Sequence, residues 1–347
     1  MSCPLVSVIR GDLVESVHRG DVAVVDAAGA LLYSVGDPDY VTYWRSSAKP
    51  IQVLPIIASG AADRFGLTPR ELAVMAASHG GEDFHIEAVA SVLSKIGLSE
   101  RDLKCGRHAP VNRAQAIRLI RERREATEIY NNCSGKHAGM LALAVHSGYS
   151  IEDYFKVDHP VQREMVRTVS EVCEMPEGQI ALGIDGCGVT VFGMPIVAMA
   201  RAYARLADPA FLPASLQSPA ARVTQAMMSY PEMVAGTGEF TTRLIQTARG
   251  ALFAKNGAEG VYCIGVPGRG MGIAVKIEDG NARAYRPVVM EILRQLGIGP
   301  WDAFEASGLL PACSISNARR ETVGRMEACF ELERRNRRAP ENPRPSA

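Results

Sequence analysis

The sequence lacks an excess of charge of either sign, because 38 Lys and Arg residues are balanced by 38 Asp and Glu residues. A nucleic-acid partner would need a basic surface, so this balance removes the electrostatic argument for one. Long apolar runs are also missing, since those at 53–58 and 193–200 contain proline and stop well short of the roughly 20 residues that span a bilayer. We therefore expect no membrane span and a small-molecule substrate.

We also expect no secretory signal, because residues 1–10 do not combine a basic segment, a long apolar stretch and a small-residue cleavage site. A cytoplasmic location is therefore expected. The eight cysteines have no short regular spacing, and a chain of 347 residues that is 47% hydrophobic can bury a large core without disulfides. We expect free thiols, most of them small core residues.

Strand patterns lie at both ends of the chain and helical patterns lie between them. The β-rich segments 22–26 and 31–35 predict a hairpin, and Thr68-Pro69-Arg70-Glu71 is a capping box that starts a helix. We predict a single α+β domain over 1–333 with the terminal strands in one antiparallel sheet. Its sheet-containing part covers about 1–45 and 250–333, its helical part covers about 46–249, and 334–347 is predicted to be a disordered tail.

Ser46 and Lys49 are the first candidates for catalysis, because a serine three residues before a lysine on a helix shares its face. The lysine can act as a base only when neutral, and lowering its pKa from about 10.4 to about 7.5 takes about 4 kcal/mol against the charged form. Burial beside another cation can supply this, and Lys255 in Lys255-Asn256-Gly257 is the candidate cation. The alternative is coincidence, since roughly one Ser-x-x-Lys arises by chance in a chain this long.

Ser78-His79-Gly80-Gly81 leaves a predicted helix into a glycine-rich turn. Glycines allow the backbone to approach a ligand closely, but the same pattern is typical of an ordinary helix C-cap. The residues alone do not decide between these interpretations.

Two polar, glycine-containing segments carry thiols, at 131–137 with Cys133, Lys136 and His137, and at 183–188 with Asp185 and Cys187. The first precedes an apolar helix, so its backbone N–H groups suit a carboxylate or an oxyanion. Cys-x-x-Lys is not an ordinary zinc signature, and spacing alone favours buried free thiols.

Together these motifs resemble the rhizobial-type (class 3) bacterial L-asparaginases, a family with a serine β-lactamase/glutaminase-like fold. The resemblance runs from the first hairpin to the closing strand near 323, and it is carried by residues 45–50, 78–81, 132–137, 185–188 and 255–260. It implies a homodimer that hydrolyses L-asparagine to L-aspartate and ammonia.

The resemblance also implies site residues. Two Ser-Lys pairs are implied, Ser46 with Lys49 and Ser78 with Lys255. A zinc ion bound by Cys133, Lys136 and Cys187 is implied as well, where the residues alone favoured free thiols. In the resulting hypothesis Lys49 activates Ser46 as the nucleophile, and Ser78 and Lys255 relay protons. Asp185 is expected to bind the substrate ammonium, and Arg45 or His137 the carboxylate.

Two other functions compete with this hypothesis. A glutaminase or a penicillin-interacting hydrolase could use the same Ser-x-x-Lys apparatus. A zinc- or redox-responsive binding protein, with Cys133 and Cys187 as sensors, would leave Ser46, Lys49 and Lys255 unexplained.

Overall fold

The computed structural model describes residues 2–309 and 313–335. Within these ranges the strands are β1 (Cys3–Arg10), β2 (Leu13–Asp26), β3 (Leu31–Val35), β4 (Val41–Tyr43), β5 (Ala181–Ile184), β6 (Thr190–Pro195), β7 (Phe253–Asn256), β8 (Val261–Val266), β9 (Met271–Ile277), β10 (Cys313–Ser316), β11 (Thr322–Ala328) and β12 (Glu333–Arg334).

Most of the α-helices lie between β4 and β7. The helices of the described residues are α1 (Lys49–Ala58), α2 (Ala61–Arg64), α3 (Pro69–Met75), α4 (Asp83–Lys95), α5 (Arg113–Arg121), α6 (Ser134–Ser147), α7 (Pro160–Cys173), α8 (Ile196–Ala207), α9 (Ala214–Ser229), α10 (Pro231–Val234), α11 (Phe240–Ala248), α12 (Tyr285–Gln295) and α13 (Trp301–Ala306).

The main sheet joins the two ends of the chain. Its strand order is β10-β11-β1-β2-β9-β8-β7, with β3 and β12 paired beside β2, and every pairing is antiparallel. The long strand β2 pairs with β1 through its first half and with β9 through its second half. The predicted α+β class, with N- and C-terminal strands in one antiparallel sheet, is confirmed.

The sheet separates two hydrophobic cores, because successive side chains of a strand point to opposite faces. In β2, Ala23 and Val25 face the core shared with α1, α3 and α8, whereas Val22 and Val24 face the core shared with α11 and α12. Helix α8 lies directly on β9, since a Cβ at Gly272 would stand 1.9 Å from the Ala200 carbonyl oxygen. No helix of the described residues is long and apolar enough to cross a membrane.

Two features differ from the sequence prediction. A second sheet, in the order β4-β6-β5, takes two of its strands, β5 and β6, from the region expected to be helical. Its outer strands have three and four residues, too few for a periodic pattern to reveal them. The predicted tail also begins too early, because Arg334 pairs with Tyr33. Residues 336–347 lie outside the described residues, and the single-domain division stays a prediction.

Candidate active site

The chain enters α1 through a 3-10 turn over Arg45–Ala48. Arg45 has a φ of 53°, a left-handed conformation that costs a residue with a side chain about 1 kcal/mol or more. Such outliers persist where the surrounding structure holds them, and they cluster at active sites. Here the turn places half-buried Ser46 directly before the helix, where its carbonyl oxygen accepts the Lys49 backbone N–H.

Strand β7, which carries Lys255, is held against this turn. Ser47 Oγ donates to the Lys255 carbonyl oxygen at 2.9 Å, and the Tyr203 hydroxyl donates to the Ser47 carbonyl oxygen at 2.8 Å. A Cβ at Gly257 would stand 3.0 Å from Ser47 Oγ, so the glycine permits this close approach. The turn that carries Ser46 and Ser47 and the strand that carries Lys255 therefore lie in contact, although about 200 residues separate them in the sequence.

The Lys49 side chain is buried, with 1% of its surface exposed. Its Nζ lies 3.0 Å from Ser78 Oγ, 3.3 Å from the Asn132 carbonyl oxygen and 2.5 Å from the Ala77 carbonyl oxygen. Burial lowers the pKa of Lys49 below its usual value, because a charged amine loses its hydration in the interior.

The three contacts provide three acceptors, one for each N–H group of a charged amine. A neutral amine has two N–H donors and one lone pair, and a hydroxyl can donate as well as accept. When the amine loses a proton, its two N–H groups can satisfy Ala77 and Asn132, and its lone pair can accept the Ser78 hydroxyl proton. In this arrangement Lys49 is a base in contact with Ser78.

The hydrogen bonds differ from the expected Ser-Lys pairs. Ser46 Oγ has no hydrogen bond to any described residue, because the positions around Lys49 Nζ are already filled. Lys255 Nζ bonds to the Asn256 carbonyl and side-chain oxygens at 2.7 and 3.0 Å, and not to Ser78. Burial, helped by the field of Lys49, lowers the pKa of Lys255 well below its usual value.

His79 supports the Ser78 loop from within the core. Its Nδ1 accepts the Gly81 N–H at 3.2 Å, so Nε2 carries the proton and donates to Ser134 Oγ at 2.8 Å. Ser134 Oγ in turn donates to the Ile129 carbonyl oxygen at 2.8 Å. The histidine is therefore a structural partner of the loop, while Ser78 itself remains half-buried beside Lys49.

The two cysteines of the polar segments meet around Lys136. Lys136 Nζ donates to Cys187 Sγ at 3.1 Å and lies 3.8 Å from Asp185 Oδ2. Cys133 Sγ donates to Asn132 Oδ1 at 3.3 Å. Its interaction with Cys187 lowers the pKa of Cys187 to about 5, and the same interaction together with burial raises the pKa of Cys133 to about 12. Burial opposes the Lys136 charge, but the Cys187 thiolate outweighs it and raises the pKa of Lys136. The proton of the thiol pair therefore stays on Cys133.

Asp185 links this cluster to the helix entry. Arg45 Nε donates to Asp185 Oδ1 at 2.9 Å, and Arg45 Nη1 lies 3.8 Å from Glu259 Oε1. Burial opposes ionisation of Asp185, but the charges of Lys136 and Arg45 outweigh it and hold its pKa below the usual range. Both Arg45 and Asp185 are thus paired within the protein.

His137 follows Lys136 on α6 and is fully buried. Its Nδ1 lies 2.7 Å from the Tyr154 hydroxyl oxygen, whereas its Nε2 has no partner among the described residues. Burial, with the field of Lys136 acting in the same direction, lowers the pKa of His137 to about 3, so the ring is neutral.

Comparison with known families identifies the family of the chain. The model of the L-asparaginase II family matches residues 6–328, nearly the whole chain. The chain belongs to the L-asparaginase II family. Membership of the L-asparaginase II family indicates a hydrolase that acts on amides. No curated protein matches the chain.

Solved structures provide weaker likenesses for this L-asparaginase II family member. The chain is similar to a beta-lactamase from Mycobacterium bovis, with 15% identity, a TM-score of 0.43, and coverage of 80% of this chain and 94% of that chain. A class C beta lactamase from Rhodobacter sphaeroides gives 14% identity, a TM-score of 0.39, and coverage of 79% of this chain and 95% of that chain. The structure of Mglu gives 14% identity, a TM-score of 0.39, and coverage of 80% of this chain and 67% of that chain. Because these TM-scores lie below 0.5, no function follows from the likenesses.

In this L-asparaginase II family member the fold brings the predicted residues into two adjoining groups. One is built around Lys49 with Ser78, and the other around Lys136 with Cys133, Cys187 and Asp185. The sequence motifs did not predict the Ala77 and Asn132 carbonyl oxygens or the Tyr154 hydroxyl as partners. A backbone carbonyl carries no sequence signal, and Tyr154 lies outside every motif.

Proposed function

We propose that the protein is an L-asparagine amidohydrolase (EC 3.5.1.1) that forms L-aspartate and ammonia through a serine activated by a lysine. The observation that carries this proposal is the buried Lys49 amine, bonded to one hydroxyl and two carbonyl oxygens. A base of this kind suits nucleophilic attack on an amide, the bond on which the L-asparaginase II family acts.

We propose Ser46 as the nucleophile. Its hydroxyl is half-buried and has no hydrogen bond to any described residue, and backbone N–H groups of the turn around Ser46 are proposed to bind the oxyanion. Ser46 Oγ attacks the side-chain amide carbon, the C–N bond breaks with release of ammonia, and water hydrolyses the resulting β-aspartyl ester. Each oxyanion donor is typically worth about 3 kcal/mol.

Lys49 and Ser78 are proposed to move the proton. Lys49 accepts the proton that Ser46 loses, and the 3.0 Å bond to Ser78 provides a path by which a proton reaches the leaving nitrogen. Lys255 contributes a second buried amine, and after burial the charge of Lys136 also opposes protonation of Lys49. This arrangement requires a rotation of Ser46 or Lys49 when substrate binds, because those side chains are not bonded in the structure.

For the amino-acid end of the substrate we propose Asp185 as the partner of the ammonium group. Arg45 and His137 are the candidates for the carboxylate. Arg45 is already paired with Asp185 and Glu259, whereas His137 has a free nitrogen. The His137 side chain is fully buried, whereas that of Arg45 is 26% exposed, so both residues stay candidates.

The decisive test uses one enzyme preparation to measure ammonia release from L-asparagine and L-glutamine, and ring opening of a chromogenic β-lactam by its colour change. We expect L-asparagine to give the highest kcat/KM. One additional methylene changes binding by only about 1 to 3 kcal/mol, so a weaker glutaminase activity is compatible with the proposal. A higher kcat/KM for glutamine or for the β-lactam would reject it.

The activity is expected to rise with pH. The folded-state pKa of Lys49 lies below 10.5, so the neutral base forms at lower pH than in an ordinary lysine and is lost as pH falls through that pKa. The kcat/KM profile should therefore have an ascending limb on the alkaline side of neutrality. Circular dichroism at each pH separates this effect from unfolding, and a maximum near pH 5 would contradict it.

We further propose that Cys133, Lys136 and Cys187 hold a zinc ion. No group of three or more His, Cys, Asp and Glu side chains in residues 2–309 and 313–335 could hold a metal ion, so such a site depends on Lys136. The donors fit, because zinc accepts sulfur and nitrogen ligands and the Lys136 nitrogen already contacts the Cys187 sulfur. A bound zinc would keep the thiols deprotonated and lower the pKa of the Lys136 amine, and these residues would fix two loops beside the substrate.

Metal analysis of the purified enzyme is expected to find zinc in the wild type and little in Cys187→Ser. Removal of the metal by chelation should raise KM for L-asparagine and change kcat by less than about threefold, the signature of lost ground-state binding. Cys173→Ser, which alters a buried thiol outside the cluster, is the matched control. A wild-type enzyme purified without metal and unaffected by added zinc would contradict the proposal.

A homodimer in the cytoplasm remains part of the proposal. It rests on the family resemblance.

A further inference from the structure

His108 lies in the irregular connection between α4 and α5, outside every motif of the sequence analysis. Its ring is half-buried, and its Nε2 atom lies 3.0 Å from the backbone nitrogen of Asn132. Its Nδ1 atom lies 2.7 Å from the Ala109 carbonyl oxygen. The ring is therefore bonded to the same residue whose carbonyl oxygen contacts Lys49.

The two hydrogen bonds of the ring fix its protonation state. A carbonyl oxygen can only accept, so Nδ1 carries a proton and donates it to Ala109. A backbone N–H can only donate, so Nε2 carries no proton and accepts from Asn132. His108 is therefore a neutral ring in the Nδ1–H form that acts as an acceptor for the backbone.

Asn132 connects this ring to the candidate base. Its carbonyl oxygen accepts from Lys49 Nζ at 3.3 Å and from the His79 backbone N–H at 3.3 Å. The backbone of Asn132 is thus held at its N–H by His108 and at its carbonyl oxygen by the Lys49 group. Because both ends are bonded, the carbonyl oxygen has little freedom to turn away from the amine.

Other bonds anchor the neighbouring loops to each other. Asn131 Oδ1 accepts the Cys133 backbone N–H at 2.8 Å, and Asn131 Nδ2 donates to two carbonyl oxygens at 2.8 and 3.0 Å, those of Cys105 and Gly106. These bonds do not involve His108. We therefore expect loss of the His108 ring to leave the loops in contact and the Cys133 backbone in place.

We propose that His108 is a positioning residue that holds the Asn132 backbone, so that its carbonyl oxygen orients the Lys49 amine for proton transfer. The inference rests on the proposed function and extends it to a residue outside the motifs. When the neutral amine gives its two N–H groups to the Ala77 and Asn132 carbonyl oxygens, its lone pair points at Ser78. Without a fixed Asn132 carbonyl oxygen the amine is free to rotate and to give an N–H to Ser78, an orientation in which it cannot accept the hydroxyl proton.

Two substitutions of His108 separate the acceptor from the ring. Leu occupies a similar space without an acceptor, whereas Gln can offer its side-chain oxygen to the Asn132 N–H. We expect His108→Leu to lower kcat for L-asparagine about tenfold and to change KM by less than about twofold, the pattern of a misplaced catalytic group. His108→Gln should recover most of this loss. A rise in KM with unchanged kcat, or an equal loss of kcat in both variants, would overturn the inference.

His159→Leu is the matched control. His159 Nδ1 also accepts a backbone N–H, that of Val161 at 3.2 Å, but it does so at the start of α7 and not beside Lys49. We expect this variant to have a lower melting temperature and an unchanged kcat. A tenfold loss of kcat in the control would assign the effect of His108 to general destabilisation and would overturn the inference.

A serine-reactive probe tests the inference independently of the substrate. Labelling by a fluorophosphonate depends on activation of a serine by the lysine and not on recognition of asparagine. We expect His108→Leu to be labelled about tenfold more slowly than the wild type, and to cause no further slowing in the Lys49→Met background. If the wild type releases no ammonia from L-asparagine, the proposed function fails, while slower labelling of His108→Leu would still support its positioning role. Unchanged labelling of His108→Leu, or effects that multiply in the double variant, would overturn the inference.

Nitrogen-15 NMR of the free enzyme examines the hydrogen bond itself. We expect the Nδ1–H tautomer of His108, and a scalar coupling across the hydrogen bond between the Asn132 backbone nitrogen and His108 Nε2. In His108→Leu the Asn132 amide proton should exchange with solvent faster than in the wild type. An Nε2–H tautomer in the wild type, or the absence of the coupling, would overturn the inference whatever the kinetics.

Discussion

Replacing Lys49 with Met is expected to lower kcat/KM for L-asparagine by about 1,000-fold, within the range for loss of a general base. Met keeps a chain of similar length in the same buried space and removes only the amine that contacts Ser78 and the Ala77 and Asn132 carbonyl oxygens. These two carbonyl oxygens lose a donor, so a modest fall in melting temperature accompanies the kinetic loss.

A lysine remote from the site serves as the control for the Lys49 substitution. Lys95 on α4 bonds to Glu71 at 2.7 Å and to the Gly66 carbonyl oxygen at 2.8 Å, and Lys95→Met should lose stability without losing activity. If Lys49→Met folds and retains more than about a tenth of the wild-type kcat/KM, Lys49 is not the base, because general-base loss costs far more.

Replacing Ser46 with Ala is expected to lower kcat on the order of 10,000-fold, because no covalent intermediate can form. Ser78→Ala should cost less, about 100-fold, since water can replace a proton relay but not a nucleophile. Ser59 at the end of α1 provides the control, because its hydroxyl bonds only within that turn region and Ser59→Ala should retain full activity.

The two serines are distinguished directly by trapping the intermediate. Rapid acid quenching during turnover, followed by peptide mass spectrometry, should find the aspartyl group on Ser46. Its presence on Ser78, together with high activity of Ser46→Ala, would make Ser78 the nucleophile. The 3.0 Å contact between Lys49 and Ser78 in the free enzyme makes this the strongest competing mechanism.

Local sequence patterns predicted the elements that local physics controls. The hairpin formed by β2 and β3, and the helix that starts at the Thr68 capping box, depend on residues close in the chain, and both are present. The small sheet of β4, β6 and β5 was missed, because its outer strands have only three and four residues, too few for a periodic pattern to reveal them. Motif order indicated the family, and the family model over residues 6–328 confirms it.

The sequence by itself determined which chemical groups are available: two serines, the lysines of the motifs, and two cysteine thiols with a nearby aspartate. Only the tertiary structure decided which of them touch and which are charged. Hydrogen bonds from Lys49 to Ser78 and Asn132, and from Tyr154 to His137, join residues 17 to 83 positions apart. The pKa of Lys49 is lowered by burial, and burial is a property of the packed molecule that no short motif encodes.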